Sequence, residues 1–152
     1  MAETLKGTCL CEGVEYEVED PQALGYCHCT RCQHWTGSSL AGIVVAKENF
    51  KFTKGEPRSF EWSSDAGNTR FGWFCGNCGS RIAHGQKPSV GILSVRSGTL
   101  DDTSWIEPVG DIWTRSAQPW VSLSGDRLRA EQQPTDYAPF IERFRSQGRF
   151  AF

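Results

Sequence analysis

The decapeptide "WFCGNCGSRI", residues 73–82, carries the feature that most constrains the fold. Cys75 and Cys78 have the Cys-x-x-Cys spacing of a zinc knuckle, in which a tight turn at a strand end directs both sulfurs toward one point. A second short pair, Cys9-Leu-Cys11, precedes the strand-like stretch 13–19. Together the four thiols predict a closed Cys₄ zinc site, with a buried thiol set that binds no metal as the alternative. Such a zinc would be structural and would connect two distant parts of the chain.

A third cluster holds three thiols: Cys27, Cys29 and Cys32. Catalytic zinc sites usually have three protein ligands and keep the fourth position open, and an all-thiolate site suits a further soft ligand such as an incoming thiol. His28 or His34 could instead close the site and make it a second structural zinc. An extended backbone turns His28 away from its flanking cysteines, whereas His34 is better placed to reach the site or to shuttle a proton.

Composition narrows the function classes. The chain has 152 residues and a net charge of −2, which argues against broad nucleic-acid binding. The first twelve residues lack the apolar segment of a signal peptide, and no stretch approaches the ~20 apolar residues that span a bilayer. We therefore expect a cytoplasmic protein with no membrane partner. In a reducing compartment, its seven cysteines favour metal binding or thiol chemistry over disulfides.

Local patterns predict a mainly β fold in a single domain, residues 1–152, that ends in a short helix at about 135–146. Tyr137, Phe140, Ile141 and Phe144 recur at helical spacing, and the stretch 54–57 reads as a hairpin turn between its neighbouring strands. The predicted strands are 13–19, 41–46, 50–53, 58–62, 70–74, 90–95 and 120–123.

Five motifs in this order resemble the family of glutathione-dependent formaldehyde-activating enzymes, whose domain also occurs in centromere protein V. The resemblance extends from about Gly7 to Leu123. In this chain Glu12 stands where family members commonly have glycine, and Gln33 stands where a basic residue is frequent. The motifs are "GTCLCEGVEYEV", "CHCTRCQHWTGSS", "WFCGNCGSRI", "SGTLDD" and "IWTRSAQPWV".

The resemblance implies a zinc-stabilised β-sheet domain of Mss4-like architecture with two Zn²⁺ ions per chain. It implies a structural zinc on Cys9, Cys11, Cys75 and Cys78, and a catalytic zinc on Cys27, Cys29 and Cys32. The family activity is carbon–sulfur lyase chemistry, as in S-(hydroxymethyl)glutathione synthase, where glutathione adds to formaldehyde. The expected partners are accordingly a glutathione-like thiol and a small carbonyl compound. A non-catalytic zinc-stabilised binding module on the same scaffold is the competing hypothesis.

Further side chains are candidates for contacts with such a substrate. Arginines could pair with the carboxylates of glutathione, tryptophans could form an apolar wall, and serines could donate hydrogen bonds, although surface, core and turn roles are the alternatives. His84 has no partner that the sequence reveals. The candidates are Arg31, Arg81, Arg115, Trp35, Trp113, Trp120, Ser38 and Ser80.

Overall fold

The computed structural model describes residues 3–88, 91–123 and 125–150 and shows a mostly β protein, with 39% strand and 17% helix. The strands are β1 Leu5–Thr8, β2 Glu15–Val18, β3 Ala23–Cys27, β4 Leu40–Ala46, β5 Phe50–Lys54, β6 Arg58–Ser63, β7 Thr69–Phe74, β8 Arg81–Lys87, β9 Ile92–Arg96, β10 Gly110–Ile112 and β11 Leu128–Ala130. The α-helices are α1 Thr30–Thr36 and α2 Ala138–Ser146. No described helix is both long and apolar enough to cross a bilayer.

The strands form two sheets. A three-stranded sheet has the order β1-β2-β5, and an eight-stranded sheet has the order β11-β10-β3-β4-β9-β8-β7-β6. Aromatic side chains join them: the Phe50 ring of the small sheet stacks on Trp73 of the large one, with centroids 5.8 Å apart, and Phe52 meets the same indole edge-on. Tyr16 stacks on Phe50 from β2. The hydrophobic core therefore lies between the two sheets.

The predicted strands at 13–19 and 41–46 are both confirmed, as β2 and β4. Val14, Tyr16 and Val18 are buried, and Ile43 and Val45 of β4 are fully inaccessible to solvent. These side chains supply much of the apolar layer between the sheets, because every second residue of a strand faces the same side.

The predicted hairpin at 54–57 is wrong. Strand β5 pairs with β2 of the small sheet, whereas β6 pairs with β7 of the large one, so the turn carries the chain from one sheet to the other. Gly55 has φ 71°, and a Cβ there would lie 2.0 Å from the carbonyl oxygen of Gly13. The glycine permits this close crossing, which the local sequence pattern could not distinguish from a hairpin turn.

The predicted strand at 120–123 is also wrong. The amide of Val121 donates to the carbonyl of Gln118 in a turn, and the Trp120 side chain is 73% exposed. The position beside β10 is taken by β11, which pairs with it in parallel. The apolar residues of this turn have the sequence pattern of a strand, but no sheet covers them.

The two α-helices differ in how well the sequence predicts them. Helix α2 confirms the predicted C-terminal helix, and the Asp136 carboxylate accepts a hydrogen bond from the Ala138 amide at its start, 2.9 Å away. The sequence pattern does not predict helix α1, since Trp35 is the one large apolar side chain in it. This helix begins after Cys29 and ends at Gly37, whose φ of 82° is typical of a helix C-terminus.

The Trp35 side chain packs on Gly72 of β7 and holds α1 against the large sheet. A Cβ at Gly72 would lie 2.4 Å from the Trp35 ring, so Gly72→Ala must displace the indole. We expect this substitution to lower the free energy of unfolding by about 1–3 kcal/mol in urea denaturation. Gly98→Ala is the matched control, because nothing lies within 4 Å of a Cβ at that position. Equal stability of the two variants would show that Trp35 does not hold the helix in place.

Candidate metal centres

The four cysteines of the two short motifs meet in one cluster, which we call the tetrad. Cys9 and Cys11 lie in the turn between β1 and β2, and Cys75 and Cys78 lie in the turn between β7 and β8. Their four sulfurs all lie within 4.8 Å of one another. Since β1 and β2 belong to the small sheet and β7 and β8 to the large one, the tetrad spans the two sheets.

The tetrad fits a tetrahedral zinc ion. The sulfur of Cys11 lies 3.6 Å from that of Cys9 and 3.7 Å from that of Cys75. Zn–S bonds of about 2.3 Å at tetrahedral angles separate two sulfurs by about 3.8 Å. The observed spacings therefore match what a bound zinc requires.

Backbone hydrogen bonds shape both turns of the tetrad. The Val14 amide donates to the sulfur of Cys9 at 3.2 Å, and the Gly79 amide donates to the Cys75 carbonyl at 2.9 Å. The hydroxyl of Ser80 accepts from the Leu10 amide at 3.0 Å, which joins the turns directly. Ser80 therefore has the structural role that is the alternative to substrate binding.

Glu12 shows why this position commonly carries glycine. Its φ is 62°, in the left-handed region that side chains other than glycine adopt at a cost. Its amide donates to the Cys9 carbonyl at 3.0 Å, so the turn keeps its shape in spite of the side chain. The departure from the family pattern leaves the ligand sulfurs in place.

The other three cysteines form a second cluster, here called the trio. Cys27 ends β3, Cys29 precedes α1, and Cys32 lies in its first turn. Their sulfurs lie within 4.8 Å of one another, and no other described histidine, aspartate, glutamate or cysteine places a ligand atom in the group. The Cys32 amide donates to the Cys29 sulfur at 3.3 Å and caps the helix.

The donor chemistry of the trio also fits a divalent cation. Hydrogen bonds from the side chains of Cys27 and then Cys32 lower the pKa of the Cys29 thiol to about 2. Hydrogen bonds with the side chains of Cys27 and then Cys29 raise the pKa of Cys32 far above its ordinary value. Three neighbouring thiolates repel one another, and a divalent cation at their centre would stabilise the ionised form of all three.

The structure separates both histidines of this segment from the trio. His28 is 2% exposed, and its Nε2 lies 2.8 Å from the Asp111 carboxylate, so the expectation that it turns away from its neighbours is met. His34 is exposed on α1 and is not among the grouped ligand atoms. Neither side chain closes the trio, and a proton-shuttling role for His34 stays a prediction.

The buried polar network around His28 has no signature in the local sequence. Asp111 is 1% exposed and also accepts from the Arg127 Nε at 2.7 Å. Gln33 ties the same segment down, because its amide donates to the carbonyls of His28 and Ser116, each at 2.8 Å. The glutamine at the family's basic position therefore has a packing role.

A cavity of about 330 Å³ lies on the opposite side of β3 from the trio. Tyr26 lines this cavity and Cys27 belongs to the trio, and consecutive strand residues face opposite sides of a sheet. The lining residues are Tyr26, His28, Ser38, Ser39, Asp111, Trp120, Val121, Ser122 and Arg127. Ser38 and Trp120, both candidates from the sequence, are therefore beside this cavity.

The remaining candidates divide between the trio side and the surface. Arg81 stacks over the Trp35 ring at 4.3 Å, beside α1. Arg31 pairs with Asp65 at the surface, and Arg115 is exposed over the ring of Trp113. The sequence analysis missed Arg96, which is 7% exposed and interacts electrostatically with the trio, and its Nη1 supplies the partner of His84 at 3.0 Å.

Removing the buried carboxylate tests the network around His28. We expect Asp111→Asn to lower the free energy of unfolding by about 1–3 kcal/mol, because it weakens the hydrogen bonds of a buried carboxylate with His28 and with the partly exposed Arg127. Asp65→Asn is the control, since the pair with Arg31 is exposed and should contribute about 0–1 kcal/mol. Chemical denaturation followed by tryptophan fluorescence measures both, and similar losses would contradict the expectation.

The two clusters should differ in their contribution to folding. Cys75→Ser removes a tetrad sulfur between the sheets and should lower the melting temperature of metal-loaded protein by at least about 10 °C. Cys29→Ser removes a trio sulfur at the start of one short helix and should lower it much less. Calorimetry measures both melting temperatures, and an equal decrease in the two variants would mean that the trio is structural.

Comparisons with known proteins come from sequence and from structure. The sequence profile of the family described as "Glutathione-dependent formaldehyde-activating enzyme" matches residues 4–116. A crystal structure of a Rhodobacter sphaeroides protein, a Northeast Structural Genomics target, has a similar fold with a TM-score of 0.53. Its sequence identity is 22%, and the alignment covers 68% of this chain and 91% of that chain. No curated protein matches. The profile match extends over most of the chain and includes all seven cysteines, so the protein belongs to the glutathione-dependent formaldehyde-activating enzyme family.

Proposed function

We propose that the protein is a zinc-dependent carbon–sulfur lyase that joins a small glutathione-like thiol to a small carbonyl compound and cleaves the same adduct. The observation that carries the proposal is the trio, whose three sulfurs have no fourth side-chain ligand among the described residues. Three protein ligands with one open position are typical of catalytic rather than structural zinc. The family name supports the coarser function, one related to glutathione and formaldehyde.

The reaction we propose conserves every atom of its substrates. In the joining direction the thiol sulfur bonds to the carbonyl carbon and the thiol proton ends on the carbonyl oxygen; the reverse reaction breaks that C–S bond. A zinc ion at the trio would supply Lewis-acid stabilisation of thiolate and of charge on the carbonyl oxygen. Cys27, Cys29 and Cys32 would hold the ion, and Arg81 offers a cation for a substrate carboxylate. The exposed His34 is our candidate for carrying the proton from the thiol to the carbonyl oxygen, by exchange with solvent.

The wider assignment follows the same chemistry. We propose that residues 1–152 form one domain of this family and that the tetrad holds a structural zinc, which makes two zinc ions per chain. All seven cysteines are free thiols, so we propose that the protein works in the reducing cytoplasm.

Zinc content and activity test the proposal together. Wild-type protein purified without chelator should contain close to two zinc ions per chain and should accelerate adduct formation from glutathione and formaldehyde. Cys29→Ser should contain close to one and lose activity by on the order of a hundredfold, the usual cost of losing a group that stabilises transition-state charge. Elemental analysis and NMR detection of the adduct measure the two quantities.

His34→Ala is the matched variant on the same helix, because its side chain is outside the trio. It should keep both zinc ions and lose less activity than Cys29→Ser. Wild-type protein that holds two zinc ions yet leaves the rate of adduct formation unchanged with these substrates and with other small aldehydes would contradict the lyase assignment. That result would favour the binding-module hypothesis.

A further inference from the structure

One face of the large sheet is polar beneath the trio. Strand register places Gly25, Gly42 and Arg96 directly opposite one another, and Gly25 shares its face with Cys27, two residues along β3. Arg96 therefore faces the same side as the trio. Small groups line the row between Arg96 and β3, where the Ser94 hydroxyl and the Leu40 side chain lie over Gly42, and the Arg96 guanidinium contacts His84 of β8.

Arg96 is a buried cation with an unusual set of partners. Its Nη1 donates to the Nδ1 of His84 at 3.0 Å, and its buried Nε has no hydrogen-bond partner in the described part of the chain. None of the carboxylates that the structure describes forms an ion pair with it. Buried charges are ordinarily paired, so Arg96 needs a negative partner that the acidic residues do not supply.

The trio is the negative group that Arg96 faces. Burial lowers the pKa of Arg96 to about 10, which still leaves the guanidinium protonated at pH 7. Burial and the charge of Arg96 lower the pKa of His84 to about 3, so the imidazole is neutral at that pH. Arg96 is thus the cation of the pair, and the imidazole fixes its orientation.

The charge of the metal-loaded trio determines when this cation matters most. Three thiolates around a divalent cation leave one net negative charge, and a fourth thiolate from a substrate makes two. A nearby buried guanidinium stabilises the second state more than the first, because the interaction grows with the charge that it faces.

We propose that Arg96, oriented by His84, offsets the negative charge that arises when a substrate thiol joins the trio as a thiolate. Arg96 is a charge-compensating residue, and His84 is a positioning residue that acts through it. The inference rests on the proposed function, since it requires that a thiol binds at the trio.

Thiol binding to the cobalt-loaded protein tests the proposal. Co²⁺ bound to thiolates absorbs visible light, and a thiol that joins the trio changes the spectrum while the closed tetrad gives a constant background. Glutathione and the uncharged 2-mercaptoethanol are the probes. Arg96→Met should keep two Co²⁺ ions per chain and lower the affinity for both thiols by roughly tenfold or more. Arg96→Lys should lower the affinity less, because it keeps the positive charge.

Control variants separate a charge effect from general damage. Arg149→Met removes an arginine that pairs with Glu3 at the surface, so it should leave both thiol affinities unchanged. His84→Ala should weaken thiol binding, and His84→Asn should restore it because the amide oxygen can accept the same hydrogen bond. If Arg96→Met fails to fold, Arg96→Lys and the two His84 variants still decide the question.

The outcomes are distinct. Unchanged affinity for both thiols in Arg96→Met overturns the inference while the proposed function stands. Weakened binding of glutathione alone would mean that Arg96 binds a substrate carboxylate, which also overturns its assignment to the sulfur centre. Wild-type protein with two Co²⁺ ions and no spectral response to either thiol would refute the proposed function, and the inference with it.

Discussion

Four sulfur atoms that meet between the two sheets are the constraint on which the rest of the structure depends. The turns that supply them, one after β1 and one after β7, are separated by most of the first half of the chain. Their spacing brings the small sheet onto the large one, where Phe50 and Trp73 stack and close the core. A metal ion that holds the four sulfurs would therefore fix the arrangement of both sheets at one point.

One face of the large sheet packs into that core, and the trio lies on the other face. The trio, Arg96 and His84 all lie on this second face, where glycines replace larger side chains in β3 and β4. Helix α1 covers part of the face through Trp35 and supplies one of the three sulfurs. The trio sulfurs thus lie on the sheet face that is not packed against the small sheet.

The segment of the trio is held by hydrogen bonds beyond those of the three cysteines. His28 and Asp111 form a buried pair beneath it, and Gln33 joins α1 to the carbonyl of Ser116. These contacts orient the backbone so that three sulfurs converge without a histidine among them. The trio therefore has no fourth side-chain ligand among the described residues because of the surrounding packing, since His28 is bonded to Asp111 and His34 faces solvent.

The sequence by itself determined the two cysteine clusters, the mainly β character and the C-terminal helix, because each follows from short spacings along the chain. It also indicated that His28 faces away from the trio, since extended residues alternate. Only the tertiary structure decided that the stretch after Lys54 crosses between sheets, that residues 120–123 do not form a strand, and that Arg96 shares a sheet face with the trio. Those features depend on which strands pair across long separations, and local patterns of polarity carry no information about that pairing.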